Sequence, residues 1–139
     1  MDLEKEIELR KDAKFFPKTL IRGEYYDCVT FSLDMYMGLG LLPPDSTFPE
    51  YNVYTRGTKM LEMIIEWVEE SGAFTEVDEP TRGCLVIATR GLRGHHTGIF
   101  LGNDKIVHCS KFRNVEIQDY SSGVFPDHLN KIYKPNGLE

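Results

Sequence analysis

The second half of the sequence carries short apolar runs separated by turn residues, and this pattern restricts the fold most. Residues 84–88 form a continuous apolar run, which is typical of a central strand buried on both faces. Shorter runs follow at hairpin spacing, over residues 97–101, 105–109, 115–118 and 131–133. The first half shows helical spacing instead. Strands that follow helices predict the α+β class, with an antiparallel sheet of about five strands over about residues 84–134.

Three segments of the first half predict helices. Residues from about 3 to 14 alternate charged and apolar positions, as a short surface helix does. The segment from about 27 to 38 is apolar on most sides, so its helix should be buried. A half-buried stripe at i, i+3 and i+4 predicts another helix from about 58 to 71.

Composition indicates one domain and excludes several classes of partner. The 139 residues are 41% hydrophobic, enough for a sizeable core. A net charge of −6 argues against nucleic acid or an anionic membrane as a partner, and no apolar run approaches the roughly 18 residues of a membrane span. Three cysteines provide no disulfide framework. The charged start is unlike a signal peptide, so we expect synthesis in the cytoplasm.

Cys28 stands at the predicted start of the buried helix, directly after Asp27, a good N-cap residue. Helix N-termini carry unpaired N–H groups and a partial positive charge, which favour a thiolate there. A free cysteine is nevertheless more often a small buried hydrophobe. Position alone therefore leaves Cys28 open between nucleophile and core residue.

Two histidines on neighbouring predicted strands favour the catalytic alternative. Acyl transfer by a thiol needs an imidazole that moves protons and a polar group that orients it. A three-residue turn at Gly102-Asn103-Asp104 would place His96 and His108 on one face of the sheet. A two-residue turn would bring His95 to that face instead. The pattern alone leaves both registers open.

Three sequence motifs resemble the NlpC-type cysteine peptidases of the papain-like superfamily over about residues 24–110. They are Asp-Cys at a helix start, Gly-x-Leu-Val, and His-x-Gly-Ile-x-Leu-Gly-Asn-x-Lys-Ile-x-His. The resemblance implies a papain-like fold in which Cys28 is the nucleophile, His96 the general base and His108 the residue that orients His96. It implies no metal or cofactor. Family members typically hydrolyse amide bonds in the peptide stems of bacterial peptidoglycan, and many travel in phage tails or are secreted.

The chain departs from that family's pattern around the cysteine. Val29-Thr30 replaces the family's Ser-Gly, and Cys84 replaces the aspartate of Gly-Asp-Leu-Val. The family's upstream tyrosine is missing, so Tyr25 and Tyr26 are the predicted substrate-binding aromatics. By the same resemblance, Asp27 should bind the free amine of the substrate.

Other readings of the same residues remain open. Cys28, His96, His108 and Cys109 could together bind zinc, although they lack the close cysteine pairs of structural zinc sites. A thiol acyltransferase or thioesterase on a related fold, or a non-catalytic phage-tail assembly or binding module, is the alternative function. A peptidoglycan hydrolase without a signal peptide would need delivery to the cell wall by a phage particle or a dedicated secretion system.

Overall fold

The computed structural model of this chain describes residues 2–17, 19–49, 58–89, 95–111, 113–122, 125 and 129–138. The described helices are α1 (Leu3–Glu8), α2 (Cys28–Gly38) and α3 (Thr58–Ser71). The predicted bounds of α2 and α3 agree with these. Within the described ranges, no helix is long and apolar enough to cross a membrane.

The first helix is shorter than predicted, because part of the segment 3–14 belongs to a small sheet. Strands β1 (Lys14–Phe15) and β2 (Leu20–Ile21) flank β3 (Tyr25–Tyr26), parallel to it on one side and antiparallel on the other. The backbone N–H of Lys14 donates to the carbonyl of Glu24 at 2.8 Å. Backbone pairing of this kind overrides a helical spacing that is only locally satisfied.

The main sheet confirms the predicted α+β class. It consists of β4 (Phe74–Val77), β5 (Leu85–Thr89), β6 (His95–Gly102), β7 (Lys105–Ser110), β8 (Asn114–Asp119) and β9 (Leu129–Pro135). The strands run antiparallel in the order β4-β9-β5-β6-β7-β8. The prediction of about five strands missed β4, because Glu76 and the acidic residues after Val77 resemble a turn. In the structure, β4 forms the edge of the sheet beside β9.

Helices α2 and α3 cover one face of the main sheet. The core between them includes Ile64 of α3, Phe31 of α2, and Ile99 and Val107 of the sheet, all of them fully or nearly fully buried. A second, smaller apolar cluster includes Val86, Ile106 and Phe125. Because side chains alternate along a strand, Ile106 and Val107 point to opposite faces, and the second cluster lies on the face away from α2.

The β6–β7 hairpin decides which histidine shares a face with His108. Its tip is a two-residue turn at Asn103 and Asp104, with φ of 50° and 60°, closed by pairing of Gly102 with Lys105. The register then shifts between Phe100 and Gly102, so that Phe100 pairs with Ile106. This β-bulge restores the register that a three-residue turn would produce. His96 and His108 therefore lie on one face, although the turn itself has two residues.

The same two strands pair only near the turn. The described pairing of β6 with β7 extends as far as Ile99 and Val107. Beyond that point, His96 pairs with Ala88 of β5, whereas His108 pairs with Glu116 of β8. The two strands thus part at the end of the hairpin that carries the histidines.

Candidate active site

Cys28 is the first residue of α2, and the start of that helix is firmly capped. The backbone N–H of Thr30 donates to the Asp27 carboxylate at 2.8 Å, and the Asp27 N–H donates to the Thr30 hydroxyl at 2.9 Å. This reciprocal capping box fixes the direction in which the chain enters the helix. The Cys28 residue is 5% exposed. Cys28 therefore lies at the positive end of the helix and is almost completely buried.

Hydrogen bonds attach this helix start to the ends of β6 and β7. The Thr97 hydroxyl donates to the carbonyl oxygen of Cys28 at 2.7 Å, and the Ser32 hydroxyl donates to the same oxygen at 3.2 Å. The Cys109 thiol contacts the Tyr26 carbonyl at 3.5 Å. Cys28 is thus held beside the place where β6 and β7 part.

His96 and His108 form a close pair on the other face of the sheet. Their ring centroids lie 4.9 Å apart, with the ring planes at 72°. His108 is 2% exposed, and its Nε2 lies 3.1 Å from Oε1 of Glu116. Its Nδ1 is buried without a hydrogen-bond partner. One ring nitrogen of His108 is therefore left for a neighbouring donor or acceptor.

Burial keeps the His108 ring uncharged. Loss of hydration lowers the pKa of His108 to about 4, a contact with Gln118 opposes this shift, and the positive charge of Arg113 adds to it. At neutral pH, His108 therefore carries one ring proton rather than two.

Phe125 packs against both histidine rings, and it was not among the residues predicted from the sequence. Its ring stacks on His96 at 5.4 Å and 28°, and it meets His108 edge to face at 5.7 Å. A Cβ on Gly98 would lie 2.9 Å from Ile106 and 3.1 Å from Phe125, so only glycine leaves room for this packing. The one signal in the sequence was an aromatic residue in a mostly polar segment.

The structure does not bring the candidate nucleophile into hydrogen-bond contact with a histidine. Among the described residues, no hydrogen bond joins Cys28 to His96 or His108. Thr97 faces α2, so the neighbouring His96 side chain points to the opposite face. The side chain of His95 lies outside the described part of the chain.

The zinc hypothesis requires four side chains that the sheet separates. Cys28 and Cys109 belong to the core under α2, whereas His96 and His108 contact Phe125 on the far face. The described residues contain no group of three or more potential ligands that could bind a metal ion. Burial, with smaller contributions from Cys28 and Asp27, also raises the pKa of Cys109 to about 12, so its thiol stays protonated.

Comparison with known proteins identifies the family. The sequence model of the NlpC/P60 family matches residues 19–134. The chain belongs to the NlpC/P60 family. Its α+β fold is therefore papain-like, as the sequence motifs implied. NlpC/P60 proteins are generally cysteine peptidases or amidases that act on peptidoglycan.

Solved structures agree on the fold. NlpC1 from Trichomonas vaginalis superposes with a TM-score of 0.61 at 12% identity, covering 95% of this chain and 43% of that protein. An NlpC/P60 family protein from Bacillus cereus ATCC 10987 superposes with a TM-score of 0.60 at 18% identity, covering 95% of this chain and 39% of that protein. This chain thus spans less than half of either protein. No curated protein matches it.

The positions that depart from the NlpC/P60 pattern have structural roles here. Thr30 completes the capping box, and its hydroxyl also donates to the Thr19 carbonyl at 2.7 Å. Val29 is buried in the core. Cys84 is fully buried, and the backbone N–H of Thr81 contacts its sulfur at 3.4 Å. None of these three residues interferes with Cys28.

The two predicted substrate-binding tyrosines lie in different environments. Tyr25 is 41% exposed and packs edge to face with Phe16 at 6.2 Å. Tyr26 is fully buried, and its hydroxyl donates to Asp34 and accepts the N–H of Gly23. Burial raises the pKa of Tyr26 to about 12. The Tyr25 ring is thus open to solvent, whereas Tyr26 belongs to a buried group of hydrogen-bonded side chains.

Asp34 is the centre of this buried group, and it was not among the residues predicted from the sequence. This fully buried carboxylate accepts hydrogen bonds from Arg10 at 2.9 Å and Arg22 at 2.8 Å, besides the one from Tyr26. Burial opposes its ionisation, but the hydrogen bonds from Tyr26 and Arg22 and the charge of Arg10 hold the pKa of Asp34 below its usual value. A single carboxylate within an apolar helix was the available signal.

Proposed function

We propose that this chain is a cysteine hydrolase that cleaves an amide bond in the peptide stem of peptidoglycan. Cys28 is the nucleophile, His96 the general base and His108 the residue that orients His96. The observation that carries the proposal is the placement of Cys28 at the start of α2, hydrogen-bonded through its carbonyl to Thr97, the neighbour of His96. Membership of the NlpC/P60 family supports the same assignment.

The helix start supplies the electrostatic part of the chemistry. His96 accepts the thiol proton, and the Cys28 thiolate attacks the amide carbonyl carbon. Negative charge develops on the carbonyl oxygen, which the backbone N–H of Cys28 and the positive end of α2 stabilise. The imidazolium of His96 then protonates the leaving amine, and water hydrolyses the thioester with His96 again as base.

The place where the β6–β7 pairing ends is where thiol and imidazole would meet. Catalytic hydrogen bonds are often long or poorly aligned without substrate and tighten in the complex. Since the described pairing of these strands stops at Ile99 and Val107, the His96 side chain is not shut off from Cys28 by a continuous ladder.

Asp27 and Tyr25 are the proposed substrate contacts. The Asp27 carboxylate lies beside the nucleophile and caps α2, which places a negative charge where a free substrate amine would bind. The exposed ring of Tyr25 belongs to β3, two residues before Asp27.

The test is digestion of purified peptidoglycan with mass analysis of all released fragments. Wild type should release stem-peptide fragments that Cys28→Ala does not release, while Cys84→Ala, which removes a buried thiol directly before β5, should retain the activity. Absence of any new fragment from wild type, or retained cleavage by Cys28→Ala, would contradict the proposal.

A non-catalytic binding module is the second candidate, and one observation favours it. Cys28 makes no hydrogen bond to either described histidine, so the nucleophile is not preactivated in this conformation. This candidate expects wild type to bind peptidoglycan in a sedimentation assay without releasing fragments, and it expects Cys28→Ala to bind equally well.

A further inference from the structure

Glu116 is the cross-strand neighbour of His108. The two residues are paired between β7 and β8, and Oε1 of Glu116 is 3.1 Å from Nε2 of His108. The other carboxylate oxygen, Oε2, is 3.7 Å from the exposed guanidinium of Arg113. The Glu116 side chain is 20% exposed, whereas that of His108 is 3% exposed. The carboxylate therefore reaches from the protein surface to an otherwise buried ring.

This contact determines where the single proton of His108 lies. An ionised carboxylate only accepts hydrogen bonds, so Nε2 of His108 must be the protonated nitrogen that donates to it. In a neutral imidazole, the other nitrogen is then an acceptor. That nitrogen, Nδ1, is the buried atom without a partner, on a ring whose centroid is 4.9 Å from that of His96.

The charge balance around the ring agrees with a neutral His108. Its charged neighbours on β8 and the preceding turn are Glu116 and Arg113, which form a pair with each other, and Gln118 is the polar neighbour on the same face. Burial lowers the pKa of His108 to about 4, the contact with Gln118 opposes this shift, and the positive charge of Arg113 adds to it. Glu116 thus orients the ring without charging it at neutral pH.

We infer that Glu116 is a positioning residue that fixes the tautomer of His108, so that Nδ1 of His108 is unprotonated and able to accept a hydrogen bond from His96. When His96 donates that bond, its remaining nitrogen is unprotonated and available to the Cys28 thiol. This inference rests on the proposed function for its consequence in turnover, but the tautomer itself is a property of the resting protein.

The tautomer can be measured without substrate. Long-range proton–nitrogen NMR spectra of the full chain with labelled histidine, at pH 7, distinguish a ring protonated at Nε2 from one protonated at Nδ1. We expect His108 to be protonated at Nε2 in wild type and in Glu116→Gln, which keeps an acceptor oxygen. In Glu116→Ala, or in Glu116→Val if alanine weakens the edge strand, we expect a mixture of the two tautomers.

Controls and turnover complete the experiment. Asp119→Asn alters a carboxylate on the same strand that pairs with Lys105 instead of a histidine, and it should change neither tautomer nor rate. Glu116→Ala should lower kcat about 10–100-fold with KM nearly unchanged, the usual cost of losing the partner that orients a functional histidine, and Glu116→Gln should recover most of it.

Two results would overturn the inference. One is an unchanged Nε2 proton in the alanine and valine variants, and the other is a mixed tautomer in Gln118→Ala in place of Glu116→Ala. If wild type shows no hydrolysis, the proposed function fails, while the NMR comparison still decides the role of Glu116. A changed tautomer with unchanged turnover would refute its part in catalysis.

Discussion

The hydroxyl of Thr97 donates a 2.7 Å hydrogen bond to the carbonyl of Cys28 and so joins the strand of His96 to the helix of the proposed nucleophile. Thr97→Val keeps the shape of this side chain and removes the bond. We expect a loss of about 1 kcal/mol in the free energy of unfolding. We also expect a fall of up to about 100-fold in kcat/KM, because small displacements of reacting groups are costly.

Ser32→Ala is the matched control for that variant. It removes a hydrogen bond to the same carbonyl oxygen and a longer 3.4 Å contact with the Thr97 hydroxyl, but it keeps the 2.7 Å bond from Thr97 to Cys28. Urea unfolding and peptidoglycan turnover are measured on both variants. Equal losses of activity in the two would show that the link from Thr97 has no special role.

The three cysteines should differ in reactivity. Cys28 is at the positive end of α2, while Cys84 and Cys109 are fully buried and the pKa of Cys109 is about 12. Iodoacetamide at pH 6 should therefore alkylate Cys28 first, as peptide mass analysis of the folded chain would show. Slow, equal labelling of all three would identify Cys28 as a core residue.

The adjacent histidines provide a sharp comparison. Since the bulge between Phe100 and Gly102 places His96 on the face of His108, His96→Ala should lower kcat about 10²–10⁴-fold. His95→Ala, the matched control one residue away, should retain most of the activity. The opposite pattern would mean that the register is wrong.

Stability should fall in acid because of His108. Its pKa is about 4 in the folded chain and 6.5 in the reference state, so the unfolded chain binds more protons between these values. Stability should decrease as the pH falls from about 6.5 to about 4, by about 3 kcal/mol in total, and this contribution should stay constant below pH 4. Urea unfolding at pH 7, 5.5 and 4 should show a smaller loss for His108→Asn. Parallel curves for the two proteins would mean that His108 is protonated in the folded state.

Substrate preference depends on Asp27 and Val29. If Asp27 binds a free amine, N-acetylation of a stem tripeptide should abolish cleavage. Val29 cannot donate to the D-glutamate carboxylate as the family's serine would, so this chain already lacks a contact worth about 1–3 kcal/mol. An isoglutamine peptide should therefore be cleaved nearly as well as the glutamate form. Chromatography of the three digests provides the comparison. An acetylated peptide cleaved at the same rate would leave Asp27 as a helix cap alone.

Local patterns predicted the elements that depend on local forces. The stripe of α3 and the capping residue before α2 identified both helices, because helical spacing and N-caps act within a few residues. Strand β4 was not predicted because its pairing partner, β9, begins 52 residues after β4 ends. Only pairing with β9 makes this acidic segment extended.

In the candidate site too, only the features with a local signal could be predicted from the sequence. Cys28 and the two histidine positions were visible as residue types at a family spacing. The bulge that aligns His96 with His108, the stacking of Phe125 and the carboxylate of Glu116 all depend on contacts between distant strands. Tyr26 was predicted as a substrate contact because few aromatic residues lie near Cys28 in the sequence, yet it is fully buried and its hydroxyl donates to Asp34.

The buried carboxylate of Asp34 also has a consequence for where this domain can be cut. The family match begins at residue 19, but one of the two guanidinium groups that neutralise Asp34 comes from Arg10, which itself is bound to Glu6 of α1. A recombinant fragment trimmed to the family boundary would leave an anion inside the protein with part of its counter-charge deleted. For this chain, the folding unit therefore extends upstream of the residues that the family model matches, and chimeras exchanged at residue 19 would join mismatched halves of one electrostatic cluster.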